Sequence, residues 1–201
     1  MDSPLPEDRE CEPQIRVTRW SSIARRIRVP LGFGFAVLYC WLSRPTGNSI
    51  VAGALVAIPG LLIRALASGH VQKNEQLTTS GPYAYTRNPL YLGSAILALG
   101  VGVATRSWIS GAILLLYFAV VYSVVMRREE GELLGHHGAA FQAYATTVPL
   151  FLPRITAVRM PGASAGQFSL AQYKKNHEYQ AALGYLLLLI ALLILWRLRL
   201  R

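Results

Sequence analysis

Two uncharged runs, NPLYLGSAILALGVGVAT at 88–105 and SWISGAILLLYFAVVYSVVM at 107–126, are separated by the single residue Arg106. Each run has close to the roughly 20 apolar residues that a helix needs to cross the hydrocarbon core of a bilayer. Backbone N–H and C=O groups find no water partners in lipid, so helices are the expected form for both runs. The short connection through Arg106 predicts a tight antiparallel helical hairpin over 88–126.

Three further uncharged runs lie outside this hairpin. They contain 15 residues between Arg28 and Arg44, 19 between Arg44 and Arg64, and 18 between Glu178 and Arg197. The first is short for a membrane span, and the other two are long enough. The sequence therefore predicts an all-α, polytopic membrane protein with about five transmembrane helices.

The composition agrees with a membrane protein. Hydrophobic residues make up 53% of the 201 residues and charged residues 15%, whereas a soluble domain carries about 25% charged residues. This excludes a wholly disordered chain and argues against an ordinary soluble enzyme. The net charge of +10 comes from basic residues lying between apolar runs, which favours anionic lipid headgroups over nucleic acid as the partner.

The charge distribution also predicts topology and domain organisation. Lys and Arg concentrate in the N-terminal region and in two long loops, so the N-terminus and these loops are expected in the cytoplasm. We expect a disordered acidic tail at 1–15, a membrane core at 16–153, a linker at 154–178, and a C-terminal membrane helix with an Arg-rich end at 179–201.

The first polar motif is GPYAYTRNPLYLG at 81–93. Gly81-Pro82 and Asn88-Pro89 are turn signals that make this a rigid loop before the hairpin. Asn88 is expected to cap the following helix with its side chain, and Pro89 suits the first helical turn. The loop therefore brings three tyrosines and an arginine to the membrane surface.

The second motif is REEGELLGHHGAAFQAYATTVPLFLP at 128–153. Leu134, Phe141, Ala145 and Val148 fall on one helical face, which predicts an amphipathic helix at the cytoplasmic membrane surface. The adjacent histidines at 136 and 137 would point apart on a helix, and no Cys or carboxylate is spaced to complete a metal site. We therefore expect no metal.

Together the two motifs resemble the isoprenylcysteine carboxyl methyltransferase and phospholipid methyltransferase family. The resemblance covers roughly 64–153 and implies an integral membrane enzyme that uses S-adenosylmethionine without a Rossmann fold. The chain departs from the family pattern at Asn88, where histidine is commonest, and at His137 and Phe141, where the pattern has an aromatic residue and a tyrosine.

The resemblance and the chemistry of the cofactor imply a set of site residues. The ammonium of S-adenosylmethionine needs a carboxylate, its sulfonium and adenine need aromatic faces, and an anionic acceptor needs arginines. Arg87 and Arg128 are expected to be catalytic, and Arg64 and Arg127 to bind the substrate. The expected cofactor-binding residues are Gln72, Glu75, Gln76, Leu77, Thr78, Tyr83, Asn88, Pro89, Leu90, Tyr91 and Glu129.

The expected function is methyl transfer from S-adenosylmethionine to an amphiphilic, membrane-resident acceptor. The available arginines favour a carboxylate acceptor of an isoprenylcysteine-like or other lipid-like molecule. N-methylation of a phospholipid amine is the first alternative. A membrane reductase that uses NADPH and a non-catalytic membrane protein are alternatives of other classes.

Overall fold

The computed structural model describes residues 41–70, 77–160 and 166–200, and these residues form helices and loops without any β-strand. The all-α prediction is confirmed, while the acidic tail and the part of the predicted first helix before residue 41 lie outside the described residues. Three helices are long and apolar enough to cross a membrane, and a fourth apolar helix is shorter. The helices are α1 (Gly47–His70), α2 (Pro89–Thr105), α3 (Trp108–Thr147), α4 (Leu170–Lys175) and α5 (Tyr179–Arg199), with a 3-10 turn at Gly81–Ala84.

The predicted hairpin of α2 and α3 is confirmed. Arg106 adopts a left-handed conformation with φ of 53°, which ends α2. The side chain of Ser107 accepts a hydrogen bond from the backbone N–H of Ser110 and so caps the start of α3. A positive φ followed by a serine cap reverses the chain within two residues.

Helices α1 and α2 pack closely because small residues line both faces. A Cβ atom added to Gly60 would lie 2.7 Å from the carbonyl oxygen of Gly93, and one added to Gly100 would lie 2.7 Å from that of Gly53. Such contacts leave no space for larger side chains and let the two backbones approach. Helix α5 joins this pair through the hydroxyl of Tyr185, which donates to the Gly53 carbonyl at 3.0 Å.

Helix α3 is 40 residues long and does not end at Arg127, where the uncharged run stops. The amphipathic helix is therefore the continuation of a membrane helix, broken by a kink at Gly138 (φ 49°, ψ −123°). Beyond the kink, three residues bury their side chains against Leu77 and the loop after α3: Phe141, Tyr144 and Val148. Leu134 was predicted on the same face but is 47% exposed, because the kink separates it from them.

Candidate functional site

The two sequence motifs lie side by side, although the residues that join them are more than 60 positions apart in sequence. The N–H of Arg87 donates to the Pro149 carbonyl at 3.0 Å, and the N–H of Arg154 donates to the Tyr85 carbonyl at 3.0 Å. The buried hydroxyl of Thr86 adds a bond to the Phe151 carbonyl at 2.9 Å. These bonds join the first motif to the segment after α3, so the two motifs are fastened to each other.

Asn88 does not cap α2 with its side chain, and that expectation was wrong. Its Nδ2 group instead donates to the carbonyl of Leu150 at 3.0 Å, which adds another bond between the two motifs. Pro89 does occupy the first turn of α2 and is buried. A cap needs the side-chain oxygen to face the first N–H groups of α2, and the bond from Nδ2 to Leu150 turns the side chain toward the neighbouring segment instead.

Tyr83 lies at the centre of this arrangement. Its side chain is buried, and its backbone carbonyl accepts a hydrogen bond from the hydroxyl of Tyr144 at 2.7 Å. Burial raises the pKa of Tyr83 above its ordinary value, and the nearby Tyr144, Glu129 and Glu178 add to this. The hydroxyl therefore stays protonated at neutral pH, with two carboxylates close enough for their charge to act on it.

Glu129 is paired with Tyr91 across the α2–α3 hairpin. The Tyr91 hydroxyl donates to Glu129 Oε1 at 2.6 Å. The Tyr91 ring meets Tyr122 edge-on with centroids 5.1 Å apart, and Tyr122 stacks on Phe118 at 4.3 Å. An aromatic row thus runs along α3 from the carboxylate toward the centre of the helix.

Arg87 forms an ion pair with Glu130, a residue not included among the expected site residues. The Arg87 Nε group is buried and has no hydrogen-bond partner among the residues that the structure describes. Glu130 directly follows Glu129, so the sequence offered both carboxylates as partners for Arg87. Adjacent helical residues differ by about 100° in direction, and only the packed structure fixes which carboxylate faces Arg87.

Arg64 is held from two sides. Its Nε donates to Glu178 Oε1 at 2.5 Å, and its Nη1 donates to the Leu90 carbonyl at 3.3 Å and to the Ser94 hydroxyl. Glu178 and Ser94 were not among the expected site residues. Glu178 is the last acidic residue of the chain and directly precedes an apolar run, which was the available signal.

The remaining expected residues are distributed as follows. Arg128 pairs with Glu132 four residues on, at 2.9 Å, with both side chains largely in solvent, and Arg127 is exposed. The structure therefore does not bring these two arginines into contact with the residues around Tyr83. Leu77 packs against the helix beyond the kink, and Thr78 is half-buried. Gln72, Glu75 and Gln76 lie outside the described residues.

Metal-binding side chains are not clustered in the described part of the chain. No group of three or more His, Cys, Asp or Glu residues in 41–70, 77–160 and 166–200 is arranged to hold an ion. His136 is exposed on α3.

Comparison with known proteins identifies the family. A profile described as phospholipid methyltransferase matches residues 54–139, which run from α1 to the kink of α3. The cobalt-zinc-cadmium resistance protein CzcN of Cupriavidus metallidurans is 32% identical over 163 residues, covering 80% of this chain and 73% of that protein. The chain belongs to the phospholipid methyltransferase family. It is thus an integral membrane protein of a methyltransferase family.

Two other relatives match shorter parts of the chain. The nickel-cobalt-cadmium resistance protein NccN of Alcaligenes xylosoxydans xylosoxydans is 37% identical over 120 residues, covering 59% of this chain and 55% of that protein. The protein-S-isoprenylcysteine O-methyltransferase of Schizosaccharomyces pombe is 32% identical over 83 residues, covering 41% of this chain and 35% of that enzyme. No solved structure matches the chain.

Proposed function

We propose that this protein transfers the methyl group of S-adenosylmethionine to the carboxylate of an amphiphilic acceptor that resides in the membrane. The observation that carries the proposal is the hydrogen-bonded pairing of the two motif segments, led by the Arg87–Pro149 bond. This pairing places buried Tyr83, the Tyr91–Glu129 pair and the Arg87–Glu130 pair in one region of the molecule.

The side chains of this region suit the chemical groups of S-adenosylmethionine. The Glu129 carboxylate is exposed to solvent, so it is accessible to an ammonium group arriving from water. The rings of Tyr83 and Tyr91 offer aromatic faces to a cation or a base. When bound, S-adenosylmethionine supplies a methyl group activated by the positive sulfonium.

The Arg87 Nε–H group is suited to the carboxylate of S-adenosylmethionine, because it is buried and without a partner among the described residues. Glu130 fixes the guanidinium through Nη1 and leaves Nε for a ligand. A charge-assisted hydrogen bond in such a half-buried position is worth about 1.5–3 kcal/mol. Since a carboxylate acceptor is already a nucleophile, these residues need only bind, orient and exclude water.

The position of the site suits two different entry routes. Glu129 is the third residue after the uncharged run of α3, and Arg64 ends the uncharged run of α1. Both therefore lie near the membrane boundary, where a water-soluble cofactor and a lipid-like or prenylated acceptor can meet. We place the N-terminus and the site-bearing loops in the cytoplasm, on the basis of the concentration of Lys and Arg there.

The proposal is tested with purified protein in detergent. Calorimetric titration with S-adenosylmethionine should show binding, and titration with NADPH should not. Tritiated methyl groups should then be incorporated into S-farnesylated N-acetylcysteine. Mild base should release this label as methanol, because base hydrolyses a methyl ester. Label that appears in a phospholipid and resists base would show that the acceptor group is an amine and not a carboxylate. NADPH binding without S-adenosylmethionine binding, or binding of neither, would overturn the proposal.

A further inference from the structure

A C-terminal segment outside the family match is fastened to the end of α1. This segment, residues 166–178, is called the strap below. The N–H of Ser169 donates to the Gly69 carbonyl at 3.0 Å, and Asn176 Nδ2 donates to the Ser68 carbonyl at 2.8 Å. The Phe168 ring covers Gly69 so closely that an added Cβ atom would overlap it. The strap is thus a docked element, and its last residue is Glu178.

Glu178 brings a carboxylate from the strap to the guanidinium of Arg64. The two side chains are 11% and 21% exposed, respectively, and Glu178 Oε1 lies 2.5 Å from Arg64 Nε. Helix α2 holds the opposite side of the guanidinium through Ser94 and the Leu90 carbonyl. Arg64 is therefore fixed in position whether or not Glu178 is in contact with it.

The first motif makes room for this arginine. Gly93, its last residue, packs against the Arg64 side chain, and a Cβ atom added there would lie 2.5 Å from Arg64 Cγ. The glycine lets the Arg64 side chain cross the face of α2 and reach Ser94. The arginine is in this way built into the same structure as Tyr83 and Tyr91.

On the edge of the Arg64 guanidinium that faces Glu178, only one of the two N–H groups is hydrogen-bonded. A carboxylate that binds side-on takes the parallel N–H groups of Nε and Nη2 together. Glu178 takes Nε, and Nη2 has no hydrogen bond to any residue in the described parts of the chain. A second carboxylate with better alignment can thus form two bonds where Glu178 forms one.

We infer that Arg64 anchors the carboxylate of the acceptor, and that Glu178 occupies this anchor until the acceptor displaces it. The inference rests on the proposed function and names the subsite for the acceptor. On displacement, Glu178 gives up the Nε–H bond and the acceptor accepts from Nε and Nη2.

This exchange makes Glu178 a specificity residue. An anionic acceptor recovers the charge partner that Arg64 loses, whereas a neutral acceptor of the same shape would leave the arginine unpaired near the membrane. Removing the negative charge of Glu178 removes the competitor without removing the anchor. The affinity for both compounds should then rise, but that for the carboxylate should rise more, because only the carboxylate is also freed from repulsion by the Glu178 charge.

The test compares S-farnesylated N-acetylcysteine with its carboxamide, using equilibrium binding of each radiolabelled compound to the full chain in detergent. In Glu178→Gln, the preference for the carboxylate over the carboxamide should increase about fivefold, the upper end of what one ion pair in contact with solvent contributes. Affinity for the carboxamide should rise by a smaller factor than affinity for the carboxylate. Asn176→Ala is the matched control, since it loosens the strap without touching the ion pair and should leave the preference as in the wild type.

The double variant of Arg64→Gln and Glu178→Gln tests the anchor without leaving a buried carboxylate unpaired. It should bind the carboxylate and the carboxamide equally. An unchanged preference in Glu178→Gln, or equal changes for both compounds, would show that Glu178 only fastens the strap and would overturn the inference. A retained preference in the double variant would also overturn it. None of these measurements involves S-adenosylmethionine, so a protein with the expected binding but no methyl transfer would contradict the proposed function alone.

Discussion

The substitution Asn88→Asp should destabilise the protein, because of the carbonyl that Asn88 bonds. Asn88 Nδ2 donates to the Leu150 carbonyl at 3.0 Å and helps to join the two motif segments. An aspartate places a second acceptor against this carbonyl. The lost bond costs about 0.5–1.5 kcal/mol, and a half-buried acceptor left without a donor raises the total to roughly 1–3 kcal/mol.

A favourable electrostatic interaction opposes this loss of stability. A carboxylate at the start of α2 interacts with the helix dipole, which contributes about 0.3–1 kcal/mol. The net destabilisation should therefore be about 1–2 kcal/mol at pH 7. Had Asn88 been a side-chain cap, the same substitution would have been neutral or slightly stabilising, since aspartate caps helices as well as asparagine.

Thermal unfolding in detergent measures the effect, with Asn88→Ala as the control that removes the bond without adding a charge. The aspartate variant should be the less stable of the two at pH 7. A carboxyl whose charged form is disfavoured in the folded state has a raised folded pKa, so its destabilisation is fully present above that pKa and fades below the ordinary value of about 4. An aspartate variant as stable as the wild type at pH 7, or one whose loss does not change with pH, would refute the role of the Leu150 carbonyl.

Three further outcomes are expected. Glu129→Gln should weaken S-adenosylmethionine binding measured by calorimetry by about 1.5–3 kcal/mol, whereas Glu132→Gln should have little effect; equal losses would contradict the assignment of Glu129. Gly93→Ala should lower stability in detergent by about 1–3 kcal/mol because its Cβ meets α1, whereas Gly111→Ala, with no atom within 4 Å of the added Cβ, should be neutral or stabilising; similar melting temperatures would contradict the close packing. Ala139→Cys, on a background without the native cysteines, should resist an impermeant thiol reagent applied to intact cells, and labelling would reverse the proposed orientation.

Much of the helical architecture was predictable because charges bound the apolar runs. Arg106 between two uncharged runs predicts the hairpin, and the left-handed Arg106 with the Ser107 cap forms it. The length of α3 was not predictable in the same way. The charges from Arg127 onward mark the end of the lipid-facing run, but they do not break a helix, and the i,i+4 pair of Arg128 and Glu132 supports its continuation.

The candidate site was predictable where local sequence defines it and not where distant segments meet. The proximity of Tyr91 and Glu129 follows from two motifs on neighbouring helices. The partner of Arg64 lies 114 residues away, and no local periodicity relates the two positions. Asn88 illustrates a similar limit, because its side chain donates to a carbonyl in a segment about 60 residues further along instead of capping α2.

The uninterrupted path of α3 has a consequence for how the lipid environment acts on this protein. From Trp108 to Met126 the helix rises about 28 Å, close to the roughly 30 Å thickness of a bilayer core. The same rod continues through Glu129 with no break before Gly138. A bilayer thicker or thinner than this length is accommodated by helix tilt, and tilt of α3 displaces Glu129 relative to Tyr91 on the neighbouring helix. The acyl-chain length of the surrounding lipids therefore influences the distance and orientation of the Tyr91–Glu129 pair.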